Sequence, residues 1–163
     1  MRPETAPKAR AVIEAVLTEA TAAGQGTVTE RCDFSRAVLC NGLGQYEEAL
    51  VAARAAVDYH PRMYLSAWAA VELLKAAIRA GRTAVAEDAL HHVLEATVHL
   101  PNDAAQGIVA RSRALMTTGE RADGLYRDAI ERLGRSLLRA MSSIVGARRG
   151  ARWPRRAQSP ALA

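Results

Sequence analysis

The chain has 163 residues, half of them hydrophobic but only 4% aromatic, and a formal net charge of +5. That length suits one domain able to bury about two thirds of its unfolded surface, and the excess of alanine and leucine over β-branched and aromatic residues disfavours a sheet and favours closely packed helices. The charge does not make the body of the chain basic, because Met1 to Arg139 carries 17 Lys or Arg against 17 Asp or Glu, and the whole excess is Arg148, Arg149, Arg152, Arg155 and Arg156.

At the start, "MRPETAPKARAVIEAVLTEA" has basic residues, but Glu14 and Glu19 break its apolar run, so it fails as a signal peptide. The most apolar stretch, "YLSAWAAVELLKAAIRAG", carries Glu72, Lys75 and Arg79 and does not read as a membrane span. Cys32 and Cys40 are too few for a disulfide framework and too far apart for a CxxC site, which makes a reducing, cytoplasmic setting the expectation.

Helical spacing and stop signals predict a series of helices, each roughly 12 to 20 residues long. Gly44, Gly81 and Gly119, in "CNGLGQ", "IRAGRT" and "MTTGER", are each expected to follow one helix and precede the next, and they lie 37 and 38 residues apart. Glycine suits such points because the residue after a helix often adopts the left-handed conformation. Pro61 and Pro101 close the second helix of two successive units, since proline cannot continue a helix. The predicted unit is helix, glycine turn, helix, proline, at a period typical of two-helix solenoid repeats.

In the first unit, Gly44, Tyr46, Ala49, Ala53, Ala56 and Pro61 resemble the turn and second helix of a tetratricopeptide repeat, with Ala37 and Cys40 at packing positions of the first helix. Small side chains belong at such a crossing because two helices approach closely only where they meet. Gly81, Ala86, Leu90 and Val93 match in the second unit, while the third, around Gly119, Tyr126 and Ala129, needs a shift of about two residues. Taken in order, "AVLCNGLGQYEEALVAARAA", "YLSAWAAVELLKAAIRAGRTAVAEDAL" and "GIVARSRALMTTGERADGLYRDAIERLGRS" resemble the helical-repeat region of large, ATPase-containing LuxR-type transcriptional regulators, over most of residues 30 to 138. The resemblance implies a sensing or assembly arm, which in that family lies between the ATPase and a C-terminal helix-turn-helix. No G-x-x-x-x-G-K-[ST] phosphate loop occurs here, and after Arg139 the text departs from the family, so the chain reads as a truncated arm whose ATPase and DNA-binding residues have no counterparts.

The expected architecture is therefore all-α: antiparallel helix pairs stacked as a short tetratricopeptide-like solenoid over residues 1–139, about three pairs. Residues 140–163 would supply a capping helix and a basic tail without fixed structure. Leu137, Leu138, Met141, Ile144 and Val145 have the helical spacing for the cap.

In the repeat register Phe34, Val38 and Asn41, then Trp68, Val71, Lys75 and Ile78, face the concave side of successive units. An aromatic, several apolar groups and one cation would form a partner-binding groove for a peptide or another helix; the competing reading makes Trp68 and Phe34 ordinary core. The tail residues Arg148, Arg149, Arg152, Trp153, Arg155 and Arg156 suggest a second function, nucleic-acid binding through counterion release and stacking, against which stands an incidental arginine-rich ending. Glu87, His91, Glu95 and His99 share one helix stripe, but without a further ligand or an HExxH motif a solvated face explains them better than a metal. Cys40 reads as a small packing residue. No residue is assigned to catalysis, a cofactor or a metal. The expectation is a noncatalytic module that binds a protein or peptide, with self-association through its ends, no membrane contact and no direct DNA binding in the absence of a helix-turn-helix.

Overall fold

The computed structural model describes residues 5–58 and 64–136, and every regular element among them is a helix. In order these are α1 (Thr5–Ala22), α2 (Gly26–Leu43), α3 (Tyr46–Asp58), α4 (Tyr64–Arg79), α5 (Thr83–Thr97), α6 (Asp103–Leu115) and α7 (Gly119–Arg135). Pro61, the boundary near Arg139, the capping segment and the basic tail lie outside the described residues.

Three of the connections are the same object. Gly24, Gly44 and Gly81 have φ of 66°, 79° and 72°, and at each one the following residue donates its N–H back to the last turn of the helix. Gln25 reaches the Ala20 carbonyl at 2.8 Å, Gln45 that of Cys40 at 2.9 Å, and Arg82 that of Ala77 at 2.8 Å. This is the Schellman arrangement, which satisfies carbonyls that a helix end leaves open and needs a residue free of a Cβ penalty at positive φ. Two or three residues between the helices suffice to reverse the chain, so α1 with α2, α2 with α3 and α4 with α5 form tight hairpins.

Gly119 departs from the expectation. It has a φ of 69°, yet it is the first residue of α7 and does not directly follow α6, which ends at Leu115. Met116 and Thr117 complete the last turn through N–H bonds to Arg113 and Ala114, and Thr118 is extended at φ −126° and ψ 164°. The two β-branched threonines favour leaving the helix early, so the glycine falls four residues past the end of α6, against one past α2 and two past α4, in keeping with the shift needed to align the third unit. The start of α6 is conventional by contrast: Asn102 is extended, and its side chain accepts the Ala105 N–H at 2.9 Å.

Each helix packs on the next, and α4 also packs against α2 and α6. The contacts are made largely by alanine. Ala37, Ala53, Ala56, Ala69, Ala77, Ala86 and Ala89 are all exposed by no more than 1%, with Leu73, Leu74, Val93 and Leu133 filling the wider gaps. α6 and α7 approach closely at Gly107, where an added Cβ would stand 2.8 Å from Leu133 Cγ and 3.2 Å from the Leu133 backbone nitrogen. α1 is the exception to this close packing, since Ala20 is its only buried residue and Val12 and Val16 are 63% and 40% exposed.

Two glycine substitutions test the packing. Gly107→Ala should lower stability by about 1–3 kcal/mol through overpacking against a backbone atom that cannot move aside. Gly124→Ala, on the same hairpin with nothing within 4 Å of the added methyl, should raise it by about 0.5–1 kcal/mol by restricting the unfolded chain. Urea melts of the two variants give the comparison, and equal shifts would contradict the α6–α7 contact described here.

Candidate functional site

Of the seven residues assigned to a groove, four pack on the apolar core. Val71 is 2% exposed, and Phe34, Trp68 and Ile78 are half-buried against the same cluster. Val38 stands out at 43% exposure. Asn41 and Lys75 are drawn together by a residue that the groove pattern left out, Glu72. The Asn41 amide donates to the Glu72 carbonyl at 3.0 Å and to its Oε2 at 2.9 Å, and Lys75 Nζ pairs with the same Oε2. Both charged side chains are only 11–12% exposed. The signal for Glu72 was present in the sequence, because an acid three residues before a lysine on a helix lies beside it.

The Asn41–Glu72 contact belongs to a set of bridges at nearly constant sequence separation. Arg79 donates to the Tyr46 hydroxyl at 2.9 Å and lies 5.3 Å from the centre of that ring; Arg54 meets Asp88 at 3.0 Å; Arg82 meets Glu47 at 3.2 Å. Each joins positions 31 to 35 residues apart, so the α2–α3 hairpin is tied to the α4–α5 hairpin at equivalent heights. In the last hairpin Arg135 forms a two-pronged contact with Asp103, both distances being 3.0 Å. The bonded guanidinium holds the Asp103 carboxyl below the usual carboxylate range.

Two acids on α2 are shifted the same way. Glu30 is 1% exposed and neither carboxyl oxygen has a hydrogen-bond partner, so loss of hydration pushes its carboxyl upward, with Arg31 opposing weakly. Asp33 is also raised by burial, with Arg36 opposing from 3.6 Å. The Cys32 and Cys40 thiols are likewise pushed up by burial, and for Cys40 the nearby Arg10 offsets only part of it. Raised thiol pKa values favour the protonated form over the nucleophilic thiolate.

On α5, His91 pairs with Glu95 at 3.2 Å and both are exposed. His92 turns toward its own helix instead, with Nδ1 3.0 Å from the Asp88 carbonyl. Among the described residues no three His, Cys, Asp or Glu side chains are grouped so as to hold a metal ion, and no helix is long and apolar enough to cross a membrane. The arginines and Trp153 proposed for nucleic-acid contact lie outside the described residues. Comparison with protein-family models, with curated proteins and with solved structures finds no match to this chain.

Two consequences are measurable. Lys75→Met leaves the Glu72 carboxylate half-enclosed without its ammonium partner and should cost about 1–3 kcal/mol, whereas Glu72→Gln combined with Lys75→Met should cost less than Lys75→Met alone. Additive losses in a double-mutant cycle would mean that the two side chains are energetically independent. For Glu30 the native state keeps its proton above the ordinary carboxyl pKa while the unfolded chain releases it, so stability falls as pH rises from that ordinary value through the raised one. Glu30→Gln removes this penalty. The variant should be more stable than the parent at about pH 7.5, and the two should converge near pH 4, where Glu30 is protonated in both states; a constant difference across that range would contradict the assignment.

Proposed function

We propose that the chain is a noncatalytic helical-repeat module, a short tetratricopeptide-like solenoid that binds protein through the faces of α2 and α4 and resembles the repeat arm of a LuxR-type regulator. The observation that carries this reading is that two successive helix pairs, α2–α3 and α4–α5, are closed by the same device and tied to each other at a nearly constant sequence separation. Gly44 and Gly81 close the same hydrogen-bonded turn between paired helices, and bridges 31 to 35 residues apart tie one pair to the next. The packing of α4 against both α2 and α6 agrees with stacked pairs, because a repeat cannot bury its apolar face alone. The α6–α7 pair follows a variant of the plan, with its glycine at the start of α7.

The binding face in this reading centres on the exposed Val38, with the half-buried Phe34 one turn before it and Asn41, buried against Glu72, beneath its other end. Its partner is an apolar helix or extended peptide, since the nearby charges of Glu72 and Lys75 neutralise one another. A photoreactive residue at Val38, compared with one at the 65% exposed Val51 on α3, tests this in cells producing the full chain. Crosslinking to a defined protein from position 38, weak from position 51, is the expected outcome. Equal yields at both positions, or none at 38, would remove this face as the binding surface.

A further inference from the structure

The first helix is attached differently from the rest. α1 spans 18 residues but buries only Ala20, and α2 is the helix it packs on. Among the described residues its one long-range polar attachment is Arg10, whose guanidinium donates to Glu48 Oε2 at 2.8 Å and to Gln45 Oε1 at 2.5 Å and lies 3.8 Å from the Cys40 sulfur. That clasp spans the last turn of α2, at Cys40, the α2–α3 turn, at Gln45, and the first turn of α3, at Glu48. By comparison α4, two residues shorter, buries Ala69, Ala70, Val71, Leu73, Leu74, Ala76 and Ala77.

What α1 covers can be read from the geometry of α2. At about 100° per residue, Leu39 lies on the opposite side of α2 from Asn41, which meets α4, and Cys32 lies on the same side as Leu39. Cys32 and Leu39 are each 8% exposed, yet neither belongs to the apolar clusters that join α2 to α3 and α4. The helix that remains to cover them is α1. Cys40, by contrast, is fully buried and clusters with Ala49 of α3 and Ala76 of α4.

We propose that α1 is a displaceable strap, which leaves α2 as a unit while the hairpins α2–α3 and α4–α5 stay folded, and so uncovers the Cys32–Leu39 strip. Segments with few buried apolar contacts open at a lower free energy than the whole domain. The Schellman turn at Gly24 provides the joint, and the six alanines of α1 allow it to leave as a helix. The two thiols report on different events, one beneath the strap and one inside the core.

The experiment is native-state thiol labelling of the full chain across a urea series, with each cysteine followed separately by peptide mass. Cys32 should label well before Cys40, through an opening that depends only weakly on urea. Arg10→Ala, which removes the clasp, should speed Cys32 labelling by about two- to fivefold and leave the urea midpoint of the core unchanged; because Arg10 also lies against the Cys40 sulfur, Cys40 serves as the core reference in the parent chain and not in this variant. Labelling of both thiols together, with the urea dependence of global unfolding, would overturn the strap. So would fast Cys32 labelling that ignores both urea and Arg10→Ala, since that would mean direct access through the closed structure. Hydrogen exchange of the α1 amides, expected to be faster than that of α2 and accelerated by Arg10→Ala, checks the same event without chemical modification.

Discussion

Helix backbones in this chain approach as closely as their side chains permit, and the side chains at the crossings are alanine. A larger residue at Ala53 or Ala56 would hold α3 off its neighbours, and a smaller one would give up contacts that are individually weak and collectively decisive. The turns follow from the same condition. Two helices that lie this close need a connection that reverses within two or three residues, and a glycine at positive φ followed by one back-bonded N–H provides it. At Gly107 the condition reaches its limit, since α7 passes where a methyl group would be.

Small apolar contacts specify distance better than they specify register, because one alanine resembles another. Register is carried by polar groups set at the level of each crossing: Asn41 on Glu72, Arg79 on Tyr46, Arg54 on Asp88, Arg82 on Glu47. Two of the four, Arg54 on Asp88 and Arg82 on Glu47, are exposed, and exposed pairs contribute little to stability. A misregistered hairpin would nonetheless separate all of them together and deprive the buried Asn41 amide of both its Glu72 contacts. α1 has one such device, Arg10, and few apolar contacts behind it.

Much of this was legible in the chain itself. The all-helical architecture follows from composition and spacing, and the glycine turns at Gly44 and Gly81 follow from position, since helical segments on both sides leave glycine little other purpose. Gly119 was legible as a left-handed glycine but not as the first residue of a helix, because a positive φ serves either end and the threonines before it decide which. The proposed groove illustrates a different limit. Helical spacing places Phe34, Trp68, Val71 and Ile78 on a common side, but spacing cannot separate an inward-leaning position from an outward one when both carry apolar residues, and Val71 is core. Glu30 was invisible for the opposite reason: a glutamate near the start of a helix normally meets solvent and a favourable dipole, and nothing nearby in the sequence announces that α2 is covered there.

An alanine core has a thermodynamic character of its own. Burying alanine immobilises no side-chain rotamers, so ordering this interior costs less conformational entropy than ordering one of leucine and phenylalanine. It also removes less apolar surface from water per residue, and the heat-capacity change of unfolding scales with that surface. The stability of the described helices should therefore vary gently with temperature, as a broad, shallow curve in place of a steep dome. Such a domain would be modestly stable over a wide range, and its cold denaturation would lie far from any temperature at which the chain works.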